Sequence, residues 1–250
     1  MIYRLILICL LAAGVSAESI IDVFPAGKTQ KLSYEIFVPE VNQTNSLEIE
    51  ITRSKGSDPI FTIYQAIDIP SQKITLKSTE KYKGAELALI SSENIIKLPP
   101  EAKRIQGTDS IAVHAIREKD SIIVSSNVPK MIPDSRIPAD NNFITSVGSM
   151  LSSRTIEFKP GVTRTFSYSN FLLITGQPFS ANVIIDSVIG LEKVIVPAGE
   201  FECYKVQSKS SGMTTFTYFS NDKNRIPVKT EVMDPTGEKS ALVIKLKKIE

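Results

Sequence analysis

From residue 31 onward the chain alternates. Segments 31–38 (KLSYEIFV), 46–53 (SLEIEITR), 59–67 (PIFTIYQAI) and 73–78 (KITLKS) place apolar side chains at every second position. A period of two marks a strand with one dry face and one wet face. AELALISS, SIAVHAI and SIIVSS extend the series to residue 126. The connectors are short and polar, as in RSKGSD at 53–58, so neighbours in sequence are expected to pair as antiparallel neighbours in space.

The middle breaks this rhythm. Residues 127–142 (NVPKMIPDSRIPADNN) hold three prolines among several turn formers and predict an irregular excursion. It ends in Asp140-Asn141-Asn142, residue types that cap helix N-termini. Phe143, Val147, Met150 and Leu151 then fall on one helical face, which predicts one short helix over 143–153. After Arg154 the alternation returns in RTFSYSNFLLIT, ANVIIDSVIG, LEKVIVP, EFECYKVQS, TTFTYFS, IPVKTEVM and ALVIKLKKI, with SNDKNR and DPTGEK as hairpin loops. Many short strands, one helix and no βαβ rhythm predict a mainly β fold: a strongly curved antiparallel sheet or barrel-like domain with the helix as its plug or lid. No composition break divides residues 18–250, which read as a single β-rich domain.

The first seventeen residues, MIYRLILICLLAAGVSA, read as a secretory signal with Arg4 in the n-region, an apolar run from Leu5 to Ala13, and a small-residue cleavage box at Val15-Ser16-Ala17. The apolar run is too short for a membrane span. The expected location is therefore periplasmic or secreted, with no transmembrane segment after cleavage. Loss of Arg4 from a net charge of +2 leaves +1 on the mature chain. That balance gives no electrostatic footing for nucleic acid, which needs a concentrated basic face.

Candidate chemistry is sparse. With Cys9 in the leader, Cys203 is the one cysteine of the mature chain and His114 the one histidine, so neither an intramolecular disulfide nor a usual zinc site can form. Nucleotide, metalloprotease and nucleophile-elbow motifs are absent, and the sequence implies no cofactor. In VIVPAGEFECYKVQS (194–208), Pro197-Ala198-Gly199 reads as a turn. Beyond it Phe201 and Cys203 share one strand face, while Glu202, Tyr204 and Val206 share the other. A cysteine beside a phenylalanine on a strand face behaves as a small hydrophobe rather than a nucleophile. No catalytic residue is assigned. If the curved sheet binds an apolar ligand, the helix residues Phe143, Val147, Met150 and Leu151, with Phe201 and Tyr218, are the candidate lining; plain core packing accounts for the same pattern.

The C-terminal portion carries a resemblance. A strand with Glu192 and Val196 to Gly199 leads to Phe201 and Tyr204-Lys205; a later strand ends in Tyr218-Phe219, passes through Asp222, and resumes at Pro227-Val228. This resembles a bacterial exported family known as domain of unknown function three-one-zero-eight, with Tyr218-Phe219 where that family carries a tryptophan. The resemblance implies an architecture similar to the LolA/LolB lipoprotein carriers, a curved antiparallel sheet wrapped around helices, and it implies no activity. Two roles follow as expectations. One is an exported, non-enzymatic envelope protein binding a lipid or other hydrophobic ligand. The other is a structural or interaction module with a self-filled core and an envelope protein partner.

Overall fold

The computed structural model describes residues 20–24, 26–138, 144–169, 181–210 and 212–250. The leader read over residues 1–17 lies outside them, as does Phe143. Among the described residues, fifteen strands form one sheet. The first run is β1 (Thr29–Val38), β2 (Gln43–Arg53), β3 (Ile60–Ile69), β4 (Ile74–Lys83), β5 (Ala88–Lys97), β6 (Ser110–Glu118), β7 (Ser121–Ser126) and β8 (Ser135–Pro138). The second is β9 (Ile144–Thr145), β10 (Thr163–Ser169), β11 (Ala181–Val196), β12 (Gly199–Ser210), β13 (Met213–Ser220), β14 (Pro227–Met233) and β15 (Ser240–Ile249).

Each run is a meander, and the two meet where β1 pairs antiparallel with β15. The spatial order therefore begins at β8 and ends at β9, with no pairing between those ends. This order dictates curvature. Laid flat, fifteen strands at about 4.8 Å spacing would separate β8 from β9 by roughly 67 Å. The chain joins them through residues 139–143, a link that spans about 20 Å when fully extended. The sheet must curl until its two ends approach, and β9 does lie across from β5. Sheets of this width curl or split in general, because strand twist accumulates.

The register shows which side is inside. Ile51, Ile63, Glu80, Ser92 and Ala115 stand in one row across β2 to β6; Arg53, Phe61, Tyr82 and Leu89 form the next row. All nine are buried. The opposite face carries a polar mosaic in which Lys31 pairs with Glu50 and His114 with Glu93. Burying one face and wetting the other is what the alternation in sequence demands.

Among the described residues three short α-helices accompany the sheet. The four-residue α1 (Ile20–Val23) drives Ile20, Val23 and Phe24 into the core, with Phe24 edge-on to Phe61 at 6.3 Å. Arg53 Nη1 donates to the carbonyls of Ile21 (2.7 Å) and Phe24 (2.5 Å), satisfying acceptors that a helix end leaves open. The second helix, α2 (Pro100–Gln106), is one that strand alternation does not announce, although its signals are in the sequence: Pro99-Pro100-Glu101 at the start and Gly107 at φ 77° past the end. The third, α3 (Ser146–Ser153), occupies the position of the expected helix, shortened at its N-terminus by the two residues of β9. Within the expected irregular segment, Ser135–Pro138 pairs with β7.

On β11 a bulge between Val188 and Gly190 changes which side the even-numbered residues face. Val188 stands beside Val206, whereas Val194 stands beside Phe201 and Val196 beside Gly199. Val188, Val194 and Val196 are all buried, but in two different cores. Val194 and Val196 join the main core with Cys203. Val188 joins a second cluster with Ile156, Val206 and Phe219, flanked by Phe158 and Tyr204. The strand pair is thus covered on both faces. Its tip is the expected Pro-Ala-Gly turn, with Gly199 at φ 132° and the Ala198 N–H donating to the Leu246 carbonyl at 3.1 Å.

Candidate functional site

Helix α3 is seated on the concave wall against β4. Its closest point is Gly148: an ideal Cβ there would lie 2.3 Å from the Tyr82 hydroxyl oxygen, so no side chain fits. Of the expected lining, Leu151 is fully buried and Met150 half-buried against the main core; the Val147 side chain lies outside the described residues. Phe201 packs at the margin of that core and Tyr218 within it. The structure thus places Met150, Leu151, Phe201 and Tyr218 around one core.

Around Tyr82 the wall is polar. Tyr82 donates its hydroxyl proton to Glu80 Oε2 at 2.5 Å, Ser92 donates to Glu80 Oε1 at 3.5 Å, and Asn94 Nδ2 donates to Ser92 Oγ at 2.9 Å. All four residues are buried, and so is Ser78, whose hydroxyl oxygen has no hydrogen-bond partner. A buried hydroxyl without a partner costs about 1–3 kcal/mol. The sequence held a readable signal for this patch: once Leu76 and Tyr82 are assigned inward, alternation puts Ser78 and Glu80 inward with them.

At the other end of α3, two polar centres hold the chain. The carboxylate of Asp186 is fully buried; it accepts from Ser208 Oγ at 2.7 Å and Ser153 Oγ at 2.9 Å, and faces Arg164 Nη2 at 3.5 Å. Arg164 also donates to the Ser152 carbonyl and to Thr155 Oγ1, both at 2.6 Å, so the last turn of α3 is tied to β10, β11 and β12. Burial draws the Arg164 pKa down and Asp186 draws it back up.

The second centre is Arg154, the residue after α3. It is fully buried, and its Nη1 donates to Gln30 Oε1 at 2.9 Å, while Nε and Nη2 have no hydrogen-bond partner. Burial lowers its pKa to about 10, with Tyr34 and the charge of Asp222 acting the other way, so it stays cationic at neutral pH. Tyr34 is buried beside it, donating to the Pro227 carbonyl at 2.9 Å, and burial holds its hydroxyl pKa far above the usual range. Arg225 Nη1 donates to the carbonyls of Arg154 (2.9 Å) and Ile156 (3.1 Å), and its guanidinium lies over the Phe158 ring at 4.6 Å. Arg225 and Asp222 also line a surface cleft of about 380 Å³ shared with Phe158, Tyr204 and Lys223. No pattern in the sequence pointed to Arg154; its burial is decided by residues far along the chain.

Tyr218 sits in a ladder of charges. Its hydroxyl donates to Glu231 Oε2 at 2.8 Å, and the ammonium groups of Lys205 and Lys229 stand 5.3 and 5.2 Å from its ring centre. Burial first, then the bond to Glu231, raises the Tyr218 pKa. Burial alone would raise that of Glu231, but hydrogen bonds from Lys229 and Tyr218 bring it below the usual carboxylate range.

Cys203 is fully buried, and burial, followed by the charges of Asp222 and Glu202, pushes its thiol up to about 12. His114 stands exposed on the outer face with Nδ1 3.6 Å from Glu93 Oε1. A protonated thiol in a core and an imidazole on the opposite surface do not make a nucleophile and base. Among the described residues no cluster of three His, Cys, Asp or Glu could hold a metal ion, and no helix is long and apolar enough to cross a membrane.

Comparison with known proteins adds little to these observations. No family model matches the chain and no curated protein does, so the resemblance carried by the Pro-Ala-Gly strand pair gains no support from them. Among solved structures, a beta-barrel-like protein of domain of unknown function DUF1849 from Brucella abortus is similar over 89% of this chain and 97% of its own, at 9% identity and TM-score 0.49. A Bacteroides fragilis protein with a YmcC-like fold (TM-score 0.38) and a Parabacteroides distasonis protein classed as a lipoprotein (0.39) are each 11% identical, over 91% of this chain and 98% of theirs. All three fall below a TM-score of 0.5, too distant to transfer a role.

Proposed function

We propose that this protein is an exported, non-enzymatic component of the cell envelope, periplasmic or secreted, that holds a lipid or other hydrophobic ligand on the concave side of its curled sheet with α3 as a displaceable plug. The observation that supports this reading is the seat of the plug. An eight-residue helix rests through a glycine on Tyr82, whose hydroxyl belongs to a buried polar group with Glu80, Ser92 and Asn94. A wall built for stability alone would meet a helix with apolar side chains, because each buried polar group must be matched or costs free energy. The leader read at 1–17 supports export. Mass spectrometry of the protein recovered under native conditions from its own host tests the reading: a stoichiometric bound amphiphile is expected, and recovery of the bare polypeptide alone would overturn it.

A second reading rests on the apolar positions of the same wall. Ile20, Leu32, Ile51, Phe61, Ile63 and Leu89 are fully buried by one another and by α1. That packing favours a self-filled core, with the protein acting through its surface as a structural or interaction module of an envelope assembly. Cross-linking in intact cells distinguishes it, since a module yields a conjugate of defined mass and only monomer would argue against one.

A further inference from the structure

We infer that Arg154 is the floor of an oxyanion site inside the curled sheet, built to hold a carboxylate or phosphate group side-on through Nε and Nη2. The inference deepens the ligand reading above and rests on it for the remainder of the ligand. A guanidinium offers two edges. Gln30 takes Nη1, and the unfilled nitrogens are the adjacent pair whose N–H bonds run parallel on the far edge. That pair matches two oxygens of one carboxylate or phosphate.

The charge argues in the same direction. Removing a guanidinium from water costs several kcal/mol unless a partner anion and hydrogen bonds compensate. Among the described residues no carboxylate lies within ion-pair distance of Arg154: Asp222 acts on it through space while accepting from the backbone N–H groups of Asn224 (2.7 Å) and Arg225 (3.1 Å), and Tyr34 is held un-ionised. Half-buried Arg164 faces Asp186; buried Arg53 also lacks a carboxylate and a partner for Nε, but its Nη1 serves two helix-end carbonyls, and among the described residues only Arg154 leaves both Nε and Nη2 unfilled. Arg154 is also fixed in place, because Arg225 clamps the carbonyls on either side of Thr155. A cation both immobilised and left with an open fork is a preorganised anion receptor. Arg225, which holds the Arg154 carbonyl, also lines the surface cleft of about 380 Å³, while the Arg154 guanidinium lies buried behind it.

The test uses the folded chain with dodecanoate, monododecyl phosphate, dodecanol, acetate and inorganic phosphate, read by calorimetry and thermal shift. The expected result is that the two anionic chains bind at least about tenfold more tightly than dodecanol, a preference that falls to near unity in Arg154→Gln. With 1-¹³C dodecanoate, the bound carboxyl should titrate below its free value, because the guanidinium favours the ionised form. If Arg154→Gln does not fold, Arg154→Lys keeps the charge and removes the fork, and the comparison of dodecanoate with dodecanol on the wild type decides by itself. Equal binding of dodecanol and dodecanoate would overturn the oxyanion site and leave the hydrophobic-ligand reading standing. Stabilisation by acetate or phosphate, with no binding of any twelve-carbon chain, would uphold the site for small anions and overturn that reading. No binding of any probe to the wild type would overturn both.

Discussion

Replacing Gly148 by alanine should unseat α3. The added methyl carbon would stand 2.3, 2.5 and 2.9 Å from Oη, Cζ and Cε1 of Tyr82, where contacts of about 3.5 Å or more are normal. Helix or ring must therefore give way by about 1 Å. The ring has little freedom, being fully buried with its hydroxyl bonded to Glu80. Overpacking of this kind costs about 1–3 kcal/mol. Pulling Tyr82 off Glu80 withdraws a donor from a buried acceptor, about 1.5–3 kcal/mol more. Alanine's better helix propensity returns about 1 kcal/mol. The balance is a loss of about 2–4 kcal/mol, or a melting point lower by about 5–15 °C for a domain of this size. Urea unfolding followed by far-UV circular dichroism measures it directly, and a two-state transition makes the difference interpretable. A cycle with Tyr82→Leu isolates the contact: without the ring the methyl has room, and the coupling between the two substitutions should exceed about 1 kcal/mol. An alanine variant as stable as the wild type, or more so, would refute the seating of α3 on Tyr82. This glycine is needed for space, whereas Gly199 at φ 132° is needed for its backbone.

Asp186→Asn should destabilise by about 3 kcal/mol, since it leaves Arg164 buried without its carboxylate; a loss under 1 kcal/mol in urea would show that the serines carry the site alone. Cys203 should resist iodoacetamide in the native protein at pH 8 and react once denatured, as peptide mapping would show, and native labelling would contradict its burial. Its raised pKa has a definite sign: the stabilisation is whole below the unfolded thiol's pKa and is lost as pH rises from there toward 12, so stability should decline in alkali by less in Cys203→Ala than in the wild type. Glu231 has the opposite sign, because a depressed pKa stabilises above the unfolded value and the gain is lost as pH falls through the folded one. Glu231→Gln should cost up to about 1 kcal/mol at pH 7, the site being partly exposed, and the gap should narrow as pH falls below the usual carboxylate range; a gap independent of pH would refute the linkage.

Alternation by itself determined the strands of the two long runs, β8 and β9 apart, and which residues of β1, β2 and β4 turn inward, because side chains on an extended backbone have no third direction to take. Pro197 and Gly199 likewise specified the β11–β12 turn from local sterics, and Phe201 and Cys203 shared a face as the period of two requires. Even the inward Ser78 and Glu80 followed from the phase of their strand. Only the tertiary structure decided the rest. The pairing of β1 with β15, and with it the curl of the sheet, joins residues more than two hundred positions apart, and no local pattern encodes that closure. The parallel step between β9 and β10, across α3, is likewise not written in any alternation. Arg154 lies outside any strand, so no alternation assigns it a side. What buries it is Gln30, Tyr34 and the loop at Asp222, brought together from opposite ends of the chain, and its open fork exists only in three dimensions.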